Sequence, residues 1–167
     1  VSAGPARDWC AKGVATGLKP DRWYFYRFLA PDGTASPIGR TRTLPAGPSA
    51  KFRMAVFSCS NFGFGWFNAY GHAVEANDVD LAVHLGDYIY EYGKGTYRAD
   101  PDLQRLHQVL PMITVWDDHE SANDSWKDGA QNHQSDTEGD WAVRKAAAKQ
   151  AYREWLPVAD TAYSTYQ

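Results

Sequence analysis

The sequence predicts an α/β chain preceded by an all-β segment. Residues 1–44 alternate in the manner of a β domain, residues 45–49 are a stiff run of Pro, Gly and small residues, and from residue 51 apolar strands and amphipathic helices take turns. At 167 residues the chain is long enough for one ordinary domain, or one domain and part of another. Hydrophobic residues at 44% and charged residues at 22% lie close to the globular average, which excludes a wholly disordered tail or a collagen-like fibre.

Arg22 to Leu29 reads as an aromatic strand, with Trp23, Phe25 and Arg27 on one face and Tyr24, Tyr26 and Phe28 on the other, suited to a sandwich. Pro31-Asp32-Gly33-Thr34 is turn chemistry, and Ile38 to Leu44 is the returning strand of a hairpin. A domain boundary is expected in Pro45-Ala46-Gly47-Pro48-Ser49, leaving residues 1–46 as part of a β domain and 51–167 as a second domain. There the order is strand (Phe52 to Phe57), helix (Trp66 to Glu75), strand (Leu81 to Leu85), helix (Asp102 to Val109) and strand (Met112 to Trp116). Leu103, Leu106 and Leu110 share one helical face. This βαβαβ rhythm favours a layered α/β sheet. A last helix, Trp141 to Trp155, sets Trp141, Ala148, Tyr152 and Trp155 at helical spacing and is stopped by Pro157.

Charge and hydropathy narrow the function classes. Twenty acidic residues against seventeen basic ones give a net charge of −3 with no block of Lys and Arg, so nucleic acid is not expected as the main partner. The longest nearly apolar stretch, Val109 to Trp116, falls far short of the roughly 18 residues of a membrane span, so no transmembrane segment is expected. Cys10 and Cys59 are too few for a disulfide framework, and their surroundings do not suggest a bridged pair. The chain begins at Val1 without an initiator Met or an apolar leader, so any export signal is expected to have been removed or to lie outside this sequence.

Each strand of the second region runs into unusual polar residues at its carboxyl end: Ser58-Cys59-Ser60-Asn61, then Gly86-Asp87-Tyr88-Ile89-Tyr90-Glu91, then Asp117-Asp118-His119-Glu120. Ligand sites of open α/β sheets form where such loops converge. Buried carboxylates are costly unless paired or metal-bound, so a metal site is the economical reading of three such loops. Singly the signals are weaker. Cys59 also suits a small buried position, Asp87 a turn cap, and Tyr90 a core aromatic. Two adjacent carboxylates and an imidazole at 117–120 repel and desolvate one another without a cation, which makes that run the strongest of the three. His72, His84, His107 and His133 read as structural or solvated, and His84, inside a strand, as a satisfied core imidazole.

Phe57-Ser58-Cys59-Ser60-Asn61-Phe62, His84-Leu85-Gly86-Asp87-Tyr88-Ile89-Tyr90-Glu91-Tyr92, and Trp116-Asp117-Asp118-His119-Glu120 with Asn123-Asp124-Ser125-Trp126 resemble the PhoD-type alkaline phosphatase/phosphodiesterase family, a branch of the metallophosphoesterases. Gly139-Asp140-Trp141 and Glu154-Trp155-Leu156-Pro157 extend the resemblance, and Gly17-Leu18-Lys19-Pro20 with Tyr24-Phe25-Tyr26-Arg27 is similar to the fibronectin-like domain that precedes the catalytic domain there. The resemblance implies a layered sandwich of mixed sheets flanked by helices behind a partial all-β fibronectin-like domain. It implies metal-dependent hydrolysis of phosphate mono- or diesters by a metal-activated hydroxide, acting on a small-molecule phosphate ester in the periplasm or outside the cell. Carried over by position, Cys59, Asp87 and Tyr90 would hold iron(III), with Asp87 bridging to calcium. Asp118 and Asn123 would serve the calcium, Asn61 and His119 would face the phosphate, and Asn123 also counts with the catalytic set. A thiolate and a phenolate beside a carboxylate suit a high-charge iron, and oxygen-only ligands suit calcium.

Two departures accompany the match. Only four residues separate Tyr92 from Tyr97, where the family has a longer insertion, and the last histidine is His133, whereas the family takes further ligands, including an Asp-x-His pair, from its second half. The resemblance therefore implies that this chain carries the N-terminal half of the catalytic domain and that the remainder is missing from it. The rival readings are a non-catalytic fragment and a β-rich binding module.

Overall fold

The structure, a computed structural model, describes residues 1–92 and 97–159. The short segment between Tyr92 and Tyr97 that departs from the family pattern lies outside the described residues.

The N-terminal segment forms one antiparallel hairpin, β1 (Trp23–Tyr26) against β2 (Gly39–Arg42), with Trp23 opposite Arg42 and Tyr26 opposite Gly39. The strand expected over Arg22 to Leu29 is shorter than that. Pro37 has no N–H to give, so regular pairing stops at Tyr26 and resumes only as a Leu29–Ala35 bridge, with Ser36 bonded to Phe28 through both backbone and hydroxyl. Among the described residues β1 pairs with β2 alone, and Phe25 is 72% exposed rather than enclosed in a sandwich. The hairpin is tied to the α/β part by side chains of β2. Arg40 stacks on Trp23 and bonds the Val109 carbonyl (3.1 Å) and Asn77 (2.9 Å), while Arg42 pairs with Asp21 and Asp80.

The α/β part follows the expected rhythm: β3 (Met54–Phe57), α1 (Asn68–Glu75), β4 (Leu81–His84), α2 (Pro101–Val109) and β5 (Met112–Thr114). The three strands form one parallel sheet in the order β3-β4-β5, with Ala55, Ala82 and Met112 in register. β3 starts two residues later than the sequence suggests because Asp80 occupies the Arg53 backbone from the side. β5 ends at Thr114, after which the chain turns into the Asp117–Glu120 loop. α2 begins on a strong signal, Asp100 accepting the Leu103 N–H at 2.9 Å with Pro101 at the first helical position. Its Leu103 and Leu106, with Leu110 just beyond its end, are buried as the spacing requires, beside Tyr70 and Val74 of α1, Ala82 of β4 and Tyr152 of the last helix.

The remaining elements are a small hairpin, β6 (Ser125–Trp126) with β7 (Gly129–Ala130), a four-residue helix α3 (Ser135–Glu138), and α4 (Trp141–Trp155). Asp140 caps α4 through the Ala142 N–H at 2.8 Å. Trp141 and Tyr152 are buried as expected, but Trp155 is 45% exposed, and its indole N–H donates to Asp8 at 3.0 Å. Lys12 completes this strap on the carbonyls of Arg153 and Val158.

Candidate metal centre

The three polar loops leave the same end of the sheet, and they are laced together before any side chain is considered. Cys59 N–H donates to the Gly86 carbonyl at 3.2 Å and Ser60 N–H to the Asp87 carbonyl at 3.0 Å, joining the loop after β3 to the loop after β4. The chain bends sharply to do so. Cys59 has φ of 56°, Gly86 of 104° and Asp87 of 51°, all in the left-handed region, and two consecutive such residues lift Asp87 out of the strand line. Gly86 must be glycine here, since a Cβ would lie 2.4 Å from that of Asp117. Non-glycine residues held at positive φ cost free energy that the surrounding bonds must overcome.

Glu120 makes the third connection. Its carboxylate is buried, accepting the Tyr88 N–H at 2.7 Å and the Asp117 N–H at 2.9 Å, so it clips the loop after β5 to the loop after β4. Burial pushes its carboxyl above the usual range against the pull of these two donors. His84 supports the arrangement from below. Fully buried in β4, it bonds Ser60 and Tyr70 through Nε2 at 3.1 Å each, and desolvation lowers it to about 4. It is the core imidazole the sequence suggested but not fully satisfied, since its Nδ1 has no hydrogen-bond partner among the described residues.

Above this platform Asp87, Asp118 and His119 each place a ligand atom within 4.8 Å of the others, a grouping able to hold a metal ion. Tyr90 O–H donates to Asp87 Oδ2 at 2.9 Å, and the His119 N–H approaches Asp87 Oδ1 at 3.4 Å. Burial, Asp87 and Cys59 together push the Tyr90 phenol up. Burial and the charges of Asp87 and Asp118 raise Asp117. Crowded like charges are relieved by a cation, and the two carboxylates and the imidazole, with the Tyr90 phenol on Asp87, form a donor set that fits one, whereas Cys59 stands outside this group. Cys59 is exposed rather than buried, so it is not a core residue here.

The two asparagines stand differently. Asn61 caps the turn of Phe62–Phe64 by accepting the Gly63 N–H at 3.0 Å. The Asn123 amide donates to Asp124 and to Gln131 (2.9 Å), while Asp118 accepts the Asp124 N–H. Glu91, assigned no role from sequence, gathers His119 Nδ1 (2.8 Å), Asn123 N–H (2.6 Å) and Asn132 (2.5 Å) on one carboxylate. Its partners are 28 to 41 positions away, so no local pattern announces it. Burial raises the Glu91 carboxyl, but the bonds from His119, Asn132 and Asn123 outweigh it and hold the group below its ordinary value. Desolvation lowers His119, and Glu91 more than reverses this.

His72 is exposed. His107 bonds Tyr88 at 2.8 Å, and His133 bonds the Gly139 carbonyl at 3.0 Å, so neither joins the cluster.

A parallel α/β sheet whose strand ends converge on two aspartates and a histidine has the layout of a ligand or metal site of the open α/β class. The chain belongs to the PhoD-like phosphatase family, whose sequence model matches residues 54–99 and 94–166, while that of the PhoD-like phosphatase N-terminal domain matches residues 1–45. Alkaline phosphatase D of Bacillus subtilis (strain 168) is 35% identical over 175 aligned positions, covering 86% of this chain and 29% of that protein. The solved structure of PhoD superposes with a TM-score of 0.82 at 33% identity, over 95% of this chain and 35% of that one. Purple acid phosphatase PPD1 from yellow lupin seeds shares the fold, with a TM-score of 0.55 at 18% identity over 85% of this chain and 27% of that one. The chain thus spans about a third of the length of these relatives.

Proposed function

We propose that this chain provides the first half of the active site of an alkaline phosphatase D-type enzyme, hydrolysing phosphate mono- or diesters. The observation that carries the reading is the meeting of Asp87, Asp118 and His119 at the carboxyl ends of adjacent parallel strands. Residues 1–46 and 51–167 are read as separate domains, the first an appended β unit and the second the chemical one. Cys59, Asp87 and Tyr90 would hold iron(III), and Asp118 with Asn123 would hold calcium, Asp87 lying between the two. Metals bound there supply Lewis-acid stabilisation of phosphate charge and acidify water. A periplasmic or secreted location is part of the proposal and rests on the family; no helix among the described residues is long and apolar enough to cross a membrane.

The chain's own residues divide the remaining work. The His119 backbone N–H orients Oδ1 of Asp87. His119, grouped with Asp87 and Asp118, would contact a phosphate oxygen or pass a proton to the leaving group. Asn61 would contact a second phosphate oxygen.

The test uses the complete polypeptide with an aryl phosphate, together with elemental analysis and a visible spectrum. Iron and calcium are expected in the pure protein, with a charge-transfer band from thiolate or phenolate on iron(III). Asp87→Asn removes the charge that lies between two cations, so both metals are expected to be depleted and turnover to fall beyond the roughly 10²–10³-fold typical of one lost electrostatic contact. Near-normal turnover of Asp87→Asn, or full activity in metal-free protein, would overturn the reading.

A further inference from the structure

Glu91 is a single carboxylate shared by two loops and one imidazole, and its two oxygens have different partners. Oε1 accepts two N–H groups, from the Asn123 backbone and the Asn132 amide, whereas Oε2 faces His119 Nδ1 alone. The pair is well shielded, the Glu91 side chain being 12% and the His119 ring 10% exposed. A neutral imidazole has one N–H, and an acceptor-only partner at one nitrogen fixes that proton there and leaves the lone pair on the other. Two rings steer the imidazole further: Tyr90 overlies it at 4.2 Å with planes 35° apart, and Tyr92 meets it nearly perpendicular at 5.3 Å. The Tyr92 hydroxyl stands 3.5 Å from Nε2.

We propose that Glu91 is a positioning residue that holds His119 in the Nδ1–H tautomer and makes Nε2 the nitrogen that meets the reacting phosphate. The role of Nε2 rests on the phosphoesterase reading above, whereas the tautomer rests on geometry alone. The unequal oxygens make Glu91→Gln diagnostic. Only the amide oxygen can take the place of Oε1, which two donors face, so the amide NH₂ must take the place of Oε2. It then donates to His119 Nδ1 and forces the ring proton onto Nε2. The variant keeps both asparagine contacts and the side-chain volume and reverses one proton.

The tautomer is read by NMR on the complete polypeptide, labelled with ¹⁵N-histidine and loaded with diamagnetic zinc, at a pH about two units or more above the ordinary imidazole value of about 6.5. Wild type is expected to show His119 protonated at Nδ1, and Glu91→Gln at Nε2. In the metal-loaded enzyme Glu91→Gln is expected to lower kcat on an aryl phosphate by about 10²–10⁴-fold, as for a misplaced acid–base group or a wrong histidine tautomer. KM, metal content and melting temperature are expected to stay near wild type, and Glu91→Asp, still an acceptor, to recover part of the rate. A wild-type ring protonated at Nε2 overturns the proposal. So does Glu91→Gln with kcat within about twofold of wild type while His119→Ala is crippled; that result leaves the phosphoesterase reading standing. If wild type hydrolyses no phosphate ester, the functional reading fails, and the NMR signal alone decides for or against Glu91 as the group that fixes the tautomer.

Discussion

On one face of the parallel sheet Ala55, Phe57, Ala82, His84, Met112 and Thr114 lie towards α1, α2 and α4; on the other Met54, Val56, Val83 and Ile113 point away from them. The alternation follows from the two-residue period of a strand. On the first face Ala82 and His84 are fully buried, Phe57 meets Tyr70 edge-on at 4.7 Å, and Tyr152 of α4 bonds Thr114 at 2.8 Å. On the second Val56 is 56% and Ile113 49% exposed. Parallel sheets are normally covered on both faces, and here the cover of the second is partial among the described residues: Leu81, opposite Met54, is buried at 6%, while Met54, Val56 and Ile113 around it form apolar surface. The contrast teaches where the chemistry is anchored. Ser60 and Tyr70 on His84, and Phe62 on Phe67 and Tyr97, tie the loop after β3 to the packed side, and Glu120 ties the other loops to each other. The cluster of Asp87, Asp118 and His119 is therefore organised by one face of the sheet.

The largest effect expected on stability breaks that face directly. Leu106 is fully buried between α2 and the core, so Leu106→Ala loses both transfer free energy and packing, about 2–5 kcal/mol. Chemical denaturation is the measurement, and a loss below about 1 kcal/mol would mean the helices are not the anchor described here.

The packed side was also the more legible in the sequence. Leu103, Leu106 and Leu110 at helical spacing and the Asp100-Pro101 start made α2 readable, and α4 was readable from Trp141 to Trp155 between its cap and Pro157. The end of β3 at Phe57 is legible, but β4 reads one residue too long because positive φ at Gly86 and Asp87, set by loop-to-loop hydrogen bonds, leaves no mark in hydropathy, and β5 reads two residues too long because the chain leaves the sheet after Thr114. The side chains grouped at the centre were named from their positions after the strands, since convergence there follows from topology. Glu91 was not, because its function as a shared acceptor exists only once residues 119, 123 and 132 have come together.

A smaller effect distinguishes the faces by pH. His84 and His107 both lie on the packed side and are held neutral, at about 4 and about 3 against an ordinary 6.5, mainly by desolvation. Above about 6.5 native and unfolded chains are both neutral there. As the pH falls, the unfolded chain takes up protons that the native sites refuse, so stability present above 6.5 is lost progressively toward 4 and 3. The loss is expected to reach about 1–2 kcal/mol per histidine near pH 5. His107→Gln, which keeps a polar partner for Tyr88 but does not titrate, should flatten the dependence of melting temperature on pH between about 7 and 5. An unchanged slope would show that His107 is protonated in the native protein.

The smallest effect belongs to the less covered face. Ile113→Thr keeps the β-branch that strands prefer and puts a hydroxyl where half the side chain already meets water. In residues 1–167 expressed alone the change in folding free energy should stay within about 0.5 kcal/mol, the range of ordinary surface substitutions. Self-association should weaken at the same time, because Met54, Val56, Ile113 and Val115 are exposed together and β3 and β5 are both sheet edges among the described residues. Denaturation and sedimentation of the two proteins side by side measure both quantities. A loss approaching that of Leu106→Ala would show that Ile113 is buried after all, and that the two faces of the sheet carry comparable layers.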